Sequence, residues 1–374
     1  MNEKKILVTS TDLMMIQFLV PHVIYLSQNG YKVDIACSDV GGRMREVRAV
    51  LKGVVNDIYV VRLVRTPAST KNLQGYRDMK ALLSRKHYDI IWTNEPVMGV
   101  VTRLAAKKAR KKGTKVLYMT HGFHFFKGAP KSNWLIYYPI EKIMSSFSDM
   151  IVTINHEDYE RAKKFYAKDV KYIHGIGVNT DRLQFFSSKS DIRKELGLPE
   201  DSFLILSVGE LHPRKNQEVV IRALGCLHDK QVKYIICGKG NRLNNLQKLA
   251  KENGILDQIY FLGYRKDVLD IYGQADLFVF PSRREGLGLA GLEAMYYGLP
   301  LVTSNTSGPR DYMENGKTGF MCSPDDAEAF MKAIKQLKMD AGLRKQCGLH
   351  NQEVVRPFLL ENVKREVFDI INTI

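Results

Sequence analysis

The feature that most constrains the fold of this chain is a regular alternation of short apolar runs with segments of helical spacing. Runs with the character of buried strands in the first half cover residues 6–8, 32–36, 88–92, 115–119, 149–154 and 170–173. After a polar stretch that ends near residue 190, such runs return at residues 202–208, 233–237, 258–262, 277–280 and 301–303. Apolar strands separated by helices are typical of parallel sheets covered on both faces. The alternation therefore predicts an α/β protein with two parallel sheets.

The length of the chain also favours two domains, because single domains usually hold ~100–200 residues. We predict an N-terminal Rossmann-like domain over residues 1–180 and a C-terminal one over residues 181–356. The last segment, residues 357–374, has helical apolar spacing, which is compatible with packing back on the first domain or capping the second. Open parallel sheets bind ligands at the carboxyl ends of their strands, so a cleft between the two sheets is the expected place for chemistry.

Positive charge is concentrated in the first half of the chain. The whole sequence carries 56 Lys and Arg against 40 Asp and Glu, a net charge of +16. Residues 1–180 hold 29 basic and 15 acidic side chains, whereas the remaining residues hold 27 and 25. The excess fits either a solvated basic surface or an anionic partner, namely a membrane surface, a phosphate-bearing acceptor or nucleic acid.

Cysteine usage and hydropathy indicate the cellular compartment in which the protein is expected. The five cysteines lie far apart without a C-x-x-C pair, which favours reduced thiols in the cytoplasm. Residues 1–10 run straight into the first strand and leave no room for a signal peptide. The most apolar stretch, residues 13–26, falls short of the ~20 apolar residues of a spanning helix. We expect a cytoplasmic protein that contacts the inner face of the plasma membrane peripherally.

Residues 280–300 carry the most informative motif. A buried strand runs into a glycine-rich turn, and a helix is predicted to open near Leu287. Free backbone N–H groups at a helix start form a phosphate site, and glycines in the turn let a bulky anion approach closely. Glu285 precedes the helix, whereas Glu293 is expected about two turns inside it and suits a ribose diol. The alternative interpretation is a plain turn with two solvent-facing glutamates.

This stretch resembles the signature of the Glu-x7-Glu family of retaining glycosyltransferases with the GT-B fold, glycosyltransferase family 4. The resemblance continues through residues 208–217, 261–264, 302–308 and 315–325, and it covers essentially the whole second half. It implies two Rossmann-like domains whose parallel sheets face each other across a cleft. It also implies transfer of a sugar from a nucleotide-sugar donor with retention of configuration.

The resemblance also implies residue roles on the donor side. Arg214 and Lys215 would neutralise the donor diphosphate, whose charge grows as the glycosidic bond breaks. Glu285 would contact the transferred sugar, Glu293 the ribose, and Tyr264 with Arg265 the base. The remaining donor-binding candidates are Gly286, Gly288 and Leu289. The sequence has no D-x-D triplet, so we predict that no metal and no other cofactor is needed.

Candidate acceptor residues lie in the first half. His121 follows the strand at residues 115–119, and residues 120–130 resemble family members that build capsular or extracellular polysaccharides on lipid carriers. By that resemblance His121 is the cleft histidine and, with Glu285, a candidate catalytic residue. Further acceptor-side candidates are Asp12, His124 and Lys127. The aromatic segment at residues 134–140, flanked by lysines, fits core packing or contact with lipid headgroups.

The resemblance thus implies transfer of a hexose or N-acetylhexosamine from a nucleotide sugar, UDP-linked as in many relatives, to a glycan or polyprenyl-diphosphate-linked acceptor in polysaccharide biosynthesis. Expected partners are the donor, the acceptor and an anionic membrane surface, but no nucleic acid. Alternatives are a GT-B-shaped nucleotide-sugar epimerase, an inverting transferase or a nucleic-acid-binding protein. The last explains the basic half but leaves Glu285 and Glu293 unexplained. A dinucleotide-dependent oxidoreductase is disfavoured because the loop after residues 6–8 has no glycine.

Overall fold

The computed structural model describes residues 3–40, 44–184 and 191–374. The chain divides into two compact units, Met1–Gly177 with Leu360–Ile374, and Val178–Leu359. The predicted ranges were 1–180 and 181–356, so the second unit begins and ends within a few residues of the expected positions. The polar stretch expected to end near residue 190 lies partly outside the described residues.

The first unit contains a seven-stranded parallel sheet with the order β3-β2-β1-β4-β5-β6-β7. Its strands are β1 (Lys5–Ser10), β2 (Lys32–Cys37), β3 (Ile58–Val60), β4 (Ile90–Asn94), β5 (Lys115–Thr120), β6 (Met150–Thr153) and β7 (Asp169–Tyr172). Its helices before the second unit are α1 (Leu13–Gln28), α2 (Met44–Val50), α3 (Lys71–Arg85), α4 (Pro96–Ala105), α5 (Lys107–Arg110), α6 (Lys131–Ser145) and α7 (His156–Ala162). The strand order reverses between β1 and β4, which is where a doubly wound sheet binds ligands.

The second unit contains a six-stranded parallel sheet with the order β10-β9-β8-β11-β12-β13. Its strands are β8 (Phe203–Val208), β9 (Val232–Cys237), β10 (Ile259–Gly263), β11 (Leu277–Phe280), β12 (Leu301–Ser304) and β13 (Gly319–Cys322). Its helices are α8 (Thr180–Gln184), α9 (Ile192–Glu195), α10 (Gln217–Leu227), α11 (Leu243–Glu252), α12 (Val268–Tyr272), α13 (Leu289–Tyr296), α14 (Ala327–Met339) and α15 (Ala341–Val354). Strands β8 and β11 lie at the centre and are almost wholly buried.

The C-terminal helix α16 (Leu360–Thr373) returns to the first unit. Its apolar face, which includes Val363 and Ile371, is fully buried. The ring of Phe368 meets that of Tyr25 of α1 edge to face, with the centroids 5.4 Å apart. The Tyr31 hydroxyl donates to Asn372 Oδ1 over 2.6 Å, so α16 closes the first unit. Within the described residues, no helix is long and apolar enough to cross a membrane.

Candidate active site

The turn between β11 and α13 contains most of the predicted donor residues. Gly288 precedes α13 with a φ of +93°, and a Cβ atom there would lie 2.5 Å from the ring of Phe280. Gly288 has no side chain that could cap the helix, so the N–H groups of Leu289 and Ala290 can face an anionic ligand, whereas that of Gly291 donates to the Gly288 carbonyl oxygen. The helix begins at Leu289 and not near Leu287. Glu293 therefore lies about one turn inside it, and the predicted two turns were wrong.

Lys215 and Glu285 form an ion pair beside this turn. The Lys215 Nζ lies 2.7 Å from Glu285 Oε1, and the two side chains are only 15% and 9% exposed. The ammonium also lies 5.1 Å from the centre of the Phe280 ring, which favours a cation over its face. The structure thus pairs two residues that the sequence analysis assigned separately, to the diphosphate and to the transferred sugar.

Hydrogen bonds join two loops and so bring Lys215 close to Glu285. Asn216 adopts a left-handed conformation, and its Nδ2 donates to the carbonyl oxygens of Pro281 and Pro324 over 3.0 and 2.7 Å. The Arg283 N–H donates to the Arg214 carbonyl oxygen over 2.8 Å. These bonds join the loop after β8 to the loop after β11. The Arg214 side chain stays exposed beside Lys215, so the cation pair has one partly buried and one solvated member.

Tyr312 is a candidate donor-site residue that the sequence analysis did not single out. Its side chain is 2% exposed, and its hydroxyl has no hydrogen-bond partner within the described residues. A Cβ atom on Gly288 or Gly291 would lie 3.3 or 2.7 Å from that hydroxyl, which places it against the start of α13. Burial, with the negative charge of Glu285, raises the pKa of Tyr312 well above its usual value. The phenol is therefore a neutral O–H donor at the helix end.

Glu293 is held within an aromatic group. The Tyr272 hydroxyl donates to Glu293 Oε2 over 3.3 Å and to the Ala290 carbonyl oxygen over 3.2 Å. The Tyr272 ring stacks on that of Tyr297, with the centroids 5.6 Å apart and the planes at 3°. This stacking fixes the hydroxyl that orients the carboxylate, so Glu293 is a positioned acceptor for a pair of hydroxyl groups.

The two residues predicted to meet the base have different environments. Tyr264 follows β10 and is 70% exposed. The Arg265 guanidinium binds both carboxylate oxygens of Glu195, at 2.5 and 2.8 Å, and both of Asp267, at 2.8 and 2.6 Å. These carboxylates raise the pKa of Arg265. Arg265 therefore fastens the loop to α9, and its contact with a base stays a prediction.

On the first unit, His121 lies at the carboxyl end of β5 next to Asn94. Its Nε2 is 3.0 Å from Asn94 Oδ1, while Asn94 Nδ2 donates to the Thr9 carbonyl oxygen over 3.2 Å. The amide oxygen only accepts, so Nε2 carries the imidazole proton and Nδ1 carries the lone pair. Burial, with a contribution from His22, lowers the pKa of His121 to about 4. His121 is therefore a neutral hydrogen-bond acceptor at physiological pH.

Asp12 belongs to a second charged cluster at this edge. Its carboxylate is 1% exposed and forms an ion pair with Arg65. Nearby, Glu95 accepts from Ser10 Oγ at 2.7 Å and from the Thr11 N–H at 2.9 Å. Glu95 has a φ of +65°, which is strained for a residue with a side chain, and burial raises its pKa. Neither Arg65 nor Glu95 was predicted, because each comes from a segment without a recognisable motif.

His124 and Lys127 lie further along the same loop. The His124 ring packs on that of Tyr137 of α6, with the centroids 4.8 Å apart, and its carbonyl oxygen accepts from Asn133 Nδ2 over 2.8 Å. Lys127 is exposed, and its backbone N–H donates to Glu157 Oε1 over 2.8 Å. The loop thus holds His124 against α6 and leaves the Lys127 side chain at the surface.

The part of the chain that the structure describes contains no set of metal ligands. Among residues 3–40, 44–184 and 191–374, no group of three or more His, Cys, Asp or Glu side chains could hold an ion. The predicted metal independence concerns a substrate-bound ion as well, so it stays a prediction.

Comparisons with known proteins agree with this geometry. The family model "Glycosyl transferase 4-like" matches residues 6–155, and the model "Glycosyl transferases group 1" matches residues 188–354. The EpsD protein of Bacillus subtilis (strain 168), assigned as a glycosyltransferase, is 35% identical over 98% of this chain and 96% of its own. The UDP-Gal:alpha-D-GlcNAc-diphosphoundecaprenol alpha-1,3-galactosyltransferase of Escherichia coli is 29% identical over 84% of this chain and 82% of its own.

Solved structures share the architecture along the whole chain. HepE of Anabaena in complex with UDP superposes with a TM-score of 0.81 at 18% identity, covering 99% of this chain and 100% of that one. WaaG, a glycosyltransferase involved in lipopolysaccharide biosynthesis, gives a TM-score of 0.73 at 17% identity over 98% and 99%. At such identities the likeness is one of fold, and it confirms the predicted GT-B fold. The chain therefore belongs to the group 1 and 4-like family of glycosyltransferases, as the Glu285–Glu293 segment predicted.

Proposed function

We propose that the protein is a retaining transferase that moves a hexose or N-acetylhexosamine from a UDP-linked donor to a glycan or polyprenyl-diphosphate-linked acceptor, during assembly of a capsular or extracellular polysaccharide. Two similarities support the substrates. The E. coli relative is named for transfer from UDP-Gal to a diphosphoundecaprenol-linked sugar, and the Anabaena structure contains UDP. Retention rests on the resemblance to the Glu-x7-Glu family.

The observation that carries the proposal is the largely buried ion pair of Lys215 and Glu285 at the start of α13. A diphosphate at that helix end meets backbone N–H groups, the Lys215 ammonium and the Tyr312 hydroxyl. Negative charge grows on the leaving diphosphate as the glycosidic bond breaks, and donors fixed in advance stabilise it most at that point. Once phosphate competes for Lys215, the Glu285 carboxylate becomes an acceptor for hydroxyls of the transferred sugar.

The rest of the nucleotide follows the same helix. Glu293, oriented by Tyr272, accepts from the two ribose hydroxyls. The exposed ring of Tyr264 offers a face for the base, and Arg265 shapes its loop. Gly286 and Gly288 keep the turn narrow, and the N–H of Leu289 opens the helix.

We also propose that transfer needs neither a metal nor another cofactor. Arg214, Lys215 and the helix end supply the positive charge that a divalent ion would otherwise place on the diphosphate. Full activity in the presence of EDTA supports this. Activity that is lost in EDTA and restored by Mg²⁺ or Mn²⁺ contradicts it.

The acceptor and the membrane meet the first unit in this proposal. Neutral His121 accepts a hydrogen bond through Nδ1 from a substrate hydroxyl, in the transferred sugar or in the incoming acceptor. The basic excess of residues 1–180 attracts an anionic membrane surface. Apolar side chains on α6, such as Trp134 and Ile143, are 37% and 60% exposed beside Lys131 and Lys142. That combination suits a peripheral contact at the inner leaflet.

A thermal-shift series tests the donor assignment. The purified protein is heated with UDP, GDP, ADP and their common sugars in EDTA, since a ligand of the native state raises the melting temperature. Lys215→Ala and Glu293→Ala are compared with Lys335→Ala, an exposed lysine of α14. UDP stabilisation in the wild type and in Lys335→Ala, lost in the two site variants, supports the proposal. Stabilisation by another nucleotide, or by none, overturns the UDP assignment.

A further inference from the structure

The first unit contains an apolar pocket of about 480 Å³, which His124, one of the predicted acceptor-side residues, helps to line. We call it the α6 pocket. It lies between α4, α6 and the loop that precedes α3, so it is bounded by segments that follow β3, β4 and β5. Its apolar lining includes Pro67, Val97, Val100, Phe125, Ile136 and Ile140. The pocket therefore opens at the carboxyl edge of the sheet, the edge that also holds His121.

The α6 pocket is not an ordinary part of the core. The buried residues of α6 are Glu141, Met144 and Ser145, all in its C-terminal half. Ile136 and Ile140, which precede these residues on the helix, are 54% and 44% exposed although they line the pocket. Large apolar side chains grouped around a concavity mark a site for an apolar ligand.

The acids at this edge of the pocket are paired. Glu141 lines the pocket but accepts from Arg103 over 2.9 Å and from the Tyr118 hydroxyl over 3.0 Å. Asp12 is paired with Arg65, and Glu157 with Arg161. These three carboxylates are thus bonded within the protein, so the apolar walls determine which ligand enters the pocket.

A cationic side chain, that of Arg65, lies at the rim of the α6 pocket. Arg65 directly precedes Thr66 and Pro67, two residues that line the pocket. Asp12 anchors its guanidinium, yet 58% of the Arg65 side chain is exposed. A guanidinium presents five N–H donors in a planar fork, so one edge can bind a carboxylate while another binds phosphate. Lys71, Lys127 and Lys131 are exposed, lie close in sequence to the lining residues Asn72, Phe125 and Ile136, and add positive charge to this part of the chain.

We propose that the α6 pocket binds the apolar chain of the lipid-diphosphate acceptor, with Arg65 at the diphosphate. This inference rests on the proposed function for the acceptor class alone. An apolar cavity of ~150 Å³ holds one benzene, so a pocket about three times larger holds roughly 18 carbon atoms, or three to four isoprene units. The pocket thus takes the part of the chain next to the diphosphate, and the rest of a long chain stays in the bilayer.

The test uses farnesyl diphosphate, which has three isoprene units, as a soluble probe for the whole protein without vesicles. Titration calorimetry compares Ile136→Asp with Leu135→Asp. Leu135 is the neighbouring residue on α6, is 78% exposed and does not line the pocket. We expect Ile136→Asp to weaken binding at least tenfold, since a carboxylate in an apolar pocket is disfavoured, and Leu135→Asp to stay within twofold. Val100→Trp, which fills the pocket, is expected to abolish binding, and circular dichroism checks that each variant folds.

Further ligands separate the chain from its head group and the acceptor from other lipids. Inorganic pyrophosphate should compete at least a hundredfold more weakly than farnesyl diphosphate, and dihexanoyl phosphatidylglycerol at least tenfold more weakly. Equal binding by the two Asp variants, or equal competition by pyrophosphate, overturns a chain site. Equal competition by the phospholipid overturns the assignment to the acceptor.

The outcome for this pocket can be separated from that of the donor site. Stabilisation by UDP without binding of farnesyl diphosphate leaves the proposed donor intact and overturns the pocket. Binding of farnesyl diphosphate that is lost in Ile136→Asp, without any nucleotide effect, supports the pocket and overturns the proposed donor.

Discussion

Most groups at the carboxyl ends of the second sheet come from one continuous stretch of chain, which Lys215 joins from the loop after β8, whereas both pairs at the first sheet join segments far apart in sequence. On the second unit, Glu285, Gly288 and Glu293 lie within one turn and the helix that follows it. On the first unit, Asp12 pairs with Arg65 and His121 with Asn94. A diphosphate can be bound by one helix end, which a local motif builds. A varied acceptor needs side chains collected from several loops, which leaves no motif.

The donor side should show the largest effect of a single substitution. Lys215→Ala removes the cation at α13 and leaves Glu285, which is 8% exposed, without its ion-pair partner. Loss of one fixed donor to a developing charge typically costs roughly 100- to 1,000-fold in kcat, and we expect a loss of that size. Sugar transfer and donor hydrolysis are measured with saturating donor, with Lys335→Ala as the control. A loss under tenfold would mean that the helix end suffices without the lysine.

Backbone geometry at the same turn gives the next largest effect. Gly288→Ala places a Cβ atom 2.5 Å from the Phe280 ring at a φ of +93°. Gly316→Ala is the matched control, since its φ is +81° but no atom of the described residues lies within 4 Å of the added Cβ. The left-handed strain alone costs about 1–2 kcal/mol, and we expect Gly288→Ala to lose about 1 kcal/mol more because of the clash. Thermal unfolding of both variants measures the difference, and equal losses would show that Phe280 yields to the new methyl group.

The sequence predicted those parts of the fold in which local pattern and burial agree. Strands β1, β8 and β11 are continuous apolar runs because helices cover both faces of each sheet. Strand β3 (Ile58–Val60) was missed, since an edge strand of three half-exposed residues has no such run. Strand β13 was predicted only as part of the family motif and not as a strand, because it begins with a glycine, Gly319. The strand needs a glycine there, since a Cβ atom would lie 1.8 Å from the Leu301 carbonyl oxygen.

Within the candidate site, the sequence could indicate residue types but not their partners. The left-handed Gly288 delays α13, which moves Glu293 to about one turn inside the helix. Arg265 is fixed by Glu195, a residue 70 positions earlier in the chain, and no spacing rule reveals that pair. Tyr312 reaches α13 from the loop that follows β12. Long-range contacts of this kind follow from the packing of the sheet and are invisible to local periodicity.

The acceptor side should be distinguished by its response to pH. The pKa of His121 is about 4 in the folded protein and ~6.5 in an unfolded chain. Between these values the unfolded state binds more protons, so this stability is complete above pH 6.5 and is lost as the pH falls toward 4. At pH 5 the loss amounts to about 2 kcal/mol.

His121→Asn removes this titration, so its melting temperature should fall less between pH 7 and pH 5 than that of the wild type. His87→Asn changes an exposed histidine of the same unit and should keep the wild-type slope. If the two variants show the same slope as the wild type, His121 is not the neutral base that the contact with Asn94 implies.

The smallest expected effect tests whether Tyr312, a residue outside the Glu285–Glu293 segment, contributes to donor binding. Tyr312→Phe removes a buried hydroxyl that has no hydrogen-bond partner among the described residues. Stability should therefore stay level or rise, while donor affinity should fall roughly tenfold with the loss of one hydrogen bond to a charged group. Tyr234→Phe is the matched control, because that buried hydroxyl lies 2.8 Å from Ser207 Oγ and its loss should cost about 1 kcal/mol of stability with donor affinity unchanged. Opposite signs of the stability change, with a lower donor affinity only in Tyr312→Phe, place Tyr312 in the donor site. The donor site then also contains a group from outside the Glu285–Glu293 segment. An unchanged donor affinity in Tyr312→Phe would confine the diphosphate contacts to Lys215, Arg214 and the turn itself.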